Sequence, residues 1–291
     1  MSQQDAFSWR EMLAQVTEQL GDSNEARWIC EHASGCDREE FVTELNNGIT
    51  VTMAGNVQKM VARRLGGEPL QYVMRRWAFR HLDVMVDERV LIPRPETEQV
   101  VDFALGLARE MRMKLLRQLQ IVDLGTGSGV IGLALASELT LGAAEVLLTD
   151  ASSEALEVAS ANLVGIGRAA TQVRIAQGSW YEALPPSLRN RVDLLVSNPP
   201  YIAEGDDEVA ADVRKYEPHF ALFSGSDGLV ALRTIIGGAS EWLTSGGWLV
   251  CEIGYRQGEV VRELFKNSGF VDVRIGNDLA GKPRIAAGRA N

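Results

Sequence analysis

From residue 121 onward, short runs of β-branched residues and leucine alternate with longer stretches of helical spacing, and this restricts the fold more than any other feature. The extended runs are Ile121–Leu124, Val146–Asp150, Val173–Ala176, Val192–Ser197 and Gly247–Ile253, with two late strands at Val271–Ile275 and Arg284–Ala287. Helical spacing fills 128–139, 153–164, about 227–243, and 257–267. Such alternation implies an α/β fold with a mostly parallel sheet covered on both faces.

The chain before this region reads differently. Phe7, Met12, Leu13, Val16 and Leu20 approximate a helical stripe that stops at Gly21. Asp22 with Glu25 resembles a capping box for a second helix through Trp28, Ile29 and Cys30. Val57, Met60, Val61 and Leu65 form a third stripe, ended by Gly66-Gly67. Residues 79–92 change to an extended period, with Asp87-Glu88 as the expected turn; Pro93-Arg94-Pro95 then breaks the chain before a helix to about Arg117. The 291 residues therefore divide into a helical domain over 1–78, a β-hairpin linker over 79–93 and an α/β domain over 94–291.

Two motifs sit at strand ends. Gly125-Thr126-Gly127-Ser128-Gly129 follows the first strand of the alternating region, where glycines let backbone approach a ligand closely. Gly127, Gly129 and Gly132 also satisfy G-x-G-x-x-G, so spacing alone leaves both a nicotinamide dinucleotide and S-adenosyl-L-methionine open. Asp150, at the tip of the next strand, suits ribose hydroxyls in either case. The second motif, Asn198-Pro199-Pro200-Tyr201, separates them. Asn198 offers a carbonyl oxygen to one N–H of a planar NH2 group. Two successive prolines form a stiff turn without N–H groups, whose carbonyls can accept the other N–H. Tyr201 supplies a flat face. These features suit alkylation of a weakly nucleophilic nitrogen by alignment, and hydride transfer has no use for them. The same residues are also ordinary loop punctuation after a strand.

A net charge of −10 argues against wrapping nucleic acid phosphates. Lys59, Arg63, Arg64, Arg75, Arg76 and Arg80 nevertheless cluster against the single acid Glu68, as a solvated helix face or as a docking surface for an acidic or RNA-associated partner. Cys30, Cys36 and Cys251 have no metal-ligand spacing, so no metal site is expected, and they fit buried thiols in a reducing compartment. Met1–Asp5 is polar, without the character of a signal peptide, and no apolar stretch approaches the ~20 residues of a membrane span, so a cytoplasmic location is expected. His219, beside Glu217 and Pro218, reads as a rim residue more than as a base; His32 and His81 read as incidental. Thr97 and Pro95 either border a ligand or simply start a helix, and Glu252 reads as a fold-stabilising acceptor.

Residues from about 66 to the C-terminus resemble the protein-(glutamine-N5) methyltransferase family, whose members modify peptide chain release factors. The matching stretches are Gly67–Tyr72, Leu91–Glu98, Asp123–Gly129, Val196–Ile202, Glu217-Pro218 with Ala221-Leu222, Ser226–Leu229, Glu252–Gly254 with Gln257, and Asp278–Arg284. The resemblance implies a seven-stranded, class I (Rossmann-like) methyltransferase sheet, with a small N-terminal helical domain that helps to hold the substrate protein. It implies S-adenosyl-L-methionine at Gly125–Gly129 and Asp150, with Trp180 near the adenine and Asn198 near both cofactor and substrate. The implied substrate is the glutamine of a Gly-Gly-Gln tripeptide in a release factor, with no nucleic acid or membrane partner. Two departures stand out. Arg75 occupies a position where the family usually has glycine, which suggests a different local turn. Ser179 replaces a frequent aspartate before Trp180, a weaker acceptor for the adenine end.

Three other activities follow from parts of the same pattern. A glutamine methyltransferase acting on a ribosomal protein would share every motif. An adenine-N6 DNA methyltransferase meets the same alignment problem, but the acidic charge and compact C-terminal part argue against it. A non-catalytic binding module would explain Arg75 and Ser179 but not an intact Asn-Pro-Pro-Tyr.

Overall fold

Helix boundaries near the N-terminus follow capping chemistry. The computed structural model describes residues 7–115 and 117–291, so the expectation for Met1–Asp5 lies outside the described residues. Ser8 and Glu11 form a reciprocal capping box for α1 (Trp9–Leu20), which ends on Gly21 in the left-handed conformation. Asp22 caps α2 (Ser23–Ser34) alone. Glu25 does not complete the expected box, because its carboxylate takes a two-point ion pair from Arg64, at 2.7 and 3.0 Å. Three more helices follow: α3 (Arg38–Glu44), α4 (Val51–Leu65) and α5 (Leu70–Met74). Trp9, Met12, Val16, Ile29, Phe41, Val57 and Val61 are buried together with Cys30, whose thiol burial pushes up to about 12. Leu65 leaves the expected stripe and is 60% exposed.

Part of the basic segment is spent inside the fold. Arg63 binds Glu68 and the carbonyls of Tyr72 and Val73, closing the α4–α5 connection, and Arg64 is engaged with Glu25. Arg75 caps α5 at φ 55 and ψ 25. The expected different turn is thus absent: arginine itself adopts the left-handed geometry that favours glycine.

By contact density the chain divides into two units, 1–76 and 77–291. β1 (Arg76–Phe79) and β2 (Leu82–Met85) form a two-stranded ribbon. Its turn is Arg80-His81 rather than Asp87-Glu88, because Arg80, at φ 54, is drawn into ion pairs with Glu138 and Asp102. Residues 90–92, expected to be extended, belong to an irregular segment that turns at Asp87 through a Val90 N–H bond to its carbonyl.

The alternating region follows, as α6 (Pro95–Lys114), β3 (Leu119–Leu124), α7 (Val130–Glu138), β4 (Ala144–Asp150), α8 (Ser153–Gly165), β5 (Val173–Gln177) and β6 (Val192–Ser197). Three helices, α9 (Ala211–Tyr216), α10 (His219–Leu222) and α11 (Val230–Gly238), precede β7 (Leu243–Glu252). α12 (Gly258–Asn267), β8 (Val271–Asn277) and β9 (Pro283–Arg289) close the chain. Among the described residues, seven strands form one sheet in the order β5-β4-β3-β6-β7-β9-β8. The first five are parallel, and β9 runs antiparallel to both β7 and β8. Buried leucine and valine on β3 and β6, with Leu232, Ile235 and Phe265 from the helices, supply the core. Strand order reverses between β3 and β6, so the loops after these two strands face a crevice at the carboxyl edge, where open α/β sheets bind ligands. No described helix is long and apolar enough to cross a membrane.

Candidate active site

The turn after β3 is built from inside the core. Asp123, fully buried, accepts from Thr126 Oγ1 at 2.6 Å and from the Gly132 N–H at 2.9 Å. Burial pushes its carboxyl up to about 6. The Gly127 N–H donates to Asp150 Oδ2 at 2.9 Å, joining the tips of β3 and β4. Burial also raises the Asp150 carboxyl above its ordinary range. Gly125 sits at φ +68, and a Cβ there would come within 3.2 Å of the Trp180 ring, so a side chain would push the turn and the ring apart.

These groups wall a cavity of about 230 Å³. Gly125, Thr126, Gly127 and Ser128 line it, as do Asp150, Ser179 and Trp180. Asn198 and Pro200 face it from the end of β6. Gly129 caps α7 just beyond the wall, and Pro199 and Tyr201 lie off it. His219 is also off the wall, its ring 4.5 Å from that of Phe223.

Behind Asn198 lies a buried polar chain. Asn198 Nδ2 donates to Thr97 Oγ1 at 3.2 Å, and the Thr97 hydroxyl donates to Glu252 Oε2 at 2.7 Å. The Tyr201 hydroxyl donates to Glu252 Oε1 at 3.2 Å. Glu252 ends β7, and burial pushes its carboxyl up to about 7. Thr97 is therefore both a cavity residue and a link between α6 and β7, more than a helix start.

Several supports were not evident from residue spacing. Asn162 of α8 binds both backbone groups of Met85 and the Ser128 carbonyl, pinning β2 to the glycine turn. Glu217 receives the Ile92 N–H and the Arg94 guanidinium, fastening the 86–94 segment to the chain before α10. Gln257 Nε2 donates to the Tyr201 carbonyl at 2.9 Å and to Gly228 at 3.3 Å. Gly228 is at φ +72, and a Cβ there would lie 2.4 Å from the Tyr201 oxygen. Two of these signals were present as motif fragments, Glu217-Pro218 and Ser226–Leu229, but their partners are remote in sequence.

The residues fit a ligand with a nucleoside end and a polar chain. A flat ring lies beside a bare backbone turn, and a carboxylate sits at the tip of β4. Among the described residues lining the cavity the one cation is Arg89, which is held by Asp87 and Glu157. Among the described residues no group of His, Cys, Asp and Glu side chains could hold a metal ion.

A family model described as the PrmC N-terminal domain matches residues 10–74, and one described as the methyltransferase small domain matches residues 98–215. The release factor glutamine methyltransferase of Xylella fastidiosa (strain Temecula1) is 40% identical over 278 residues, covering 96% of this chain and 96% of its own. Its counterpart in Bordetella pertussis is 39% identical, covering 91% of this chain and 93% of its own. Among solved structures, the ribosomal protein L11 methylase from Lactobacillus delbrueckii subsp. bulgaricus aligns with 73% of this chain and 96% of its own at 18% identity, with a TM-score of 0.48.

Proposed function

The chain belongs to the release factor glutamine methyltransferase family, and on that premise we propose that it methylates N5, the side-chain amide nitrogen, of the glutamine in a release factor's Gly-Gly-Gln motif. Residues 94–291 are the catalytic domain, 79–93 the linker and 1–78 the part that recognises the substrate protein. The reaction calls for no nucleic acid, and acting on a release factor it runs in the cytoplasm.

Gly125, Thr126, Gly127, Ser128 and Gly129, with Asp150, Trp180 and Asn198, are the residues that would hold S-adenosyl-L-methionine. Bound there, that cofactor would supply an electrophilic methyl group on a sulfonium, whose S–CH3 bond breaks as the N–CH3 bond forms, leaving the thioether S-adenosylhomocysteine. The protein's own contribution is alignment. Asn198 Oδ1 and the Pro199 carbonyl accept the two N–H bonds of the substrate carboxamide, which fixes the nitrogen. Both acceptors are available: among the described residues no N–H donates to either oxygen. Pro200 holds the turn stiff, and Tyr201, anchored on Glu252, supplies the flat face for the planar group. As the nitrogen gains positive charge, the two oxygens bind it more strongly than they bind the ground state. No strong base is needed, because the N–H becomes acidic only as the new bond forms, and its proton then passes to solvent water.

The single observation that carries this reading is Asn198, standing at the cavity wall with its Nδ2 tethered to Thr97 and its Oδ1 unengaged. The test is peptide mass spectrometry of a release factor incubated with the protein and S-adenosylmethionine. A ribosomal protein mixture and an adenine-containing DNA duplex serve as parallel substrates. The expected result is one added methyl on the Gly-Gly-Gln glutamine, absent from a Gln→Ala release factor. Methyl on a ribosomal protein or on DNA, with none on the release factor, would overturn it.

A further inference from the structure

The polar chain behind Asn198 ends on a carboxyl where burial makes ionisation expensive. Glu252 is 1% exposed, at the end of a central strand, and a glutamine or an apolar residue would cost less there unless acceptor-only character were used. We infer that Glu252, acting through Thr97, sets which edge of the Asn198 carboxamide meets the substrate, so that both are positioning residues for the transfer. This rests on the role proposed above for Asn198.

The argument is proton counting. Above about pH 7 the Glu252 carboxyl is ionised and has no proton to give. The proton in the 2.7 Å contact between Thr97 and Glu252 therefore belongs to Thr97. A hydroxyl has one proton, so Thr97 Oγ1 can only accept at its other contact, 3.2 Å from Asn198. Asn198 must present Nδ2 there, and its Oδ1 is turned away from Thr97. A reversed carboxamide would set two acceptors against each other, and would offer the substrate N–H another donor. Tyr201 donates to the second carboxylate oxygen, so both known partners of Glu252 are donors. The other charged groups acting on Glu252 are Arg284 of β9, which favours its ionised form, and Glu96 of α6, which opposes it.

Three substitutions separate polarity from mere packing. T97V keeps the shape and removes the hydroxyl, whereas T97S restores it. E252Q keeps the size, but its NH2 can donate to Thr97 and free the Thr97 proton to point at Asn198. The first readout needs no substrate: the side-chain 15N–1H2 signal of Asn198, assigned by its loss in N198D. At pH 8, where Glu252 is ionised, one Asn198 amide proton should be shifted downfield and protected from exchange in the wild type and in T97S. It should lose both properties in T97V and change in E252Q. The second readout is methyl transfer to a release factor. T97V and E252Q should lower kcat by ~10- to 100-fold, while release-factor KM and the Kd for S-adenosylmethionine stay within about twofold. T97S should recover kcat to within about threefold.

Unchanged Asn198 signals in T97V would overturn the inference, as would wild-type kcat in T97V or a loss that T97S fails to repair. If the wild-type protein leaves release factors unmethylated, the proposed function fails. The amide signals still decide the relay in that case.

Discussion

A carboxamide nitrogen shares its lone pair with the neighbouring carbonyl, so one residue that holds its N–H bonds in line can matter more than any base. The role proposed for Asn198 is of that kind, and the motif behind the proposal is visible in the sequence because Asn-Pro-Pro-Tyr is contiguous. Its support was not, because Thr97 and Glu252 stand 155 positions apart and meet only in the fold. Arg75 shows the opposite limit. Residue type there signalled a departure from glycine, yet the backbone still takes φ 55. A left-handed arginine costs roughly 1–2 kcal/mol, part of which glycine forfeits by its freer unfolded state. Arg75→Gly should therefore stabilise the protein by about 0.5–1 kcal/mol, seen as a higher midpoint in urea unfolding. An unchanged or lower midpoint would mean that the arginine side chain repays its strain.

At the scale of elements, strands were legible where they are largely apolar and buried, and β6 ends where expected, at Ser197. The ribbon turn was misplaced because turn chemistry favoured Asp87-Glu88, while ion pairs from Arg80 to distant helices decided the outcome. The loop after β6 depends on a neighbouring turn that leaves no room for a methyl group, since a Cβ at Gly228 would lie 2.4 Å from the Tyr201 oxygen. Gly228→Ala should displace that loop and lower kcat by ~10- to 100-fold, with cofactor Kd within about twofold. Isothermal titration and steady-state kinetics together would show the split.

β7 carries a pH dependence through Glu252. Burial raises its carboxyl from 4.5 to about 7, so between these values the native state keeps a proton that the unfolded chain has released. Stability contributed by this group is present below about pH 4.5 and is lost as pH rises towards 7, a loss on the order of 3 kcal/mol. Glu252→Gln removes the ionisation, so its Tm relative to the wild type should be higher at pH 8 than at pH 5. Equal differences at the two pH values would mean that Glu252 is not the titrating group.

At the scale of the molecule, the alternating pattern disclosed an α/β sheet, and the family resemblance supplied its class and seven strands. Sequence alone could not tell which charges are spent inside the fold. The net charge of −10 made the Lys59–Arg80 segment stand out as basic, but Arg63, Arg64 and Arg80 are consumed by Glu68, Glu25 and Glu138. Arg64→Glu should accordingly destabilise the helical unit by roughly 1 kcal/mol, allowing for its partial exposure, and leave release-factor affinity within about twofold below the unfolding transition. A large loss of affinity without loss of stability would restore the docking role.

The most direct test of the whole account is Asn198→Ala, assayed by single-turnover methyl transfer to a release factor alongside the Kd for S-adenosylmethionine. Alignment by Asn198 predicts a rate lower by on the order of 100-fold or more, with Kd within about twofold. A variant that transfers methyl at the wild-type rate, or that loses activity only because the cofactor no longer binds, would contradict it.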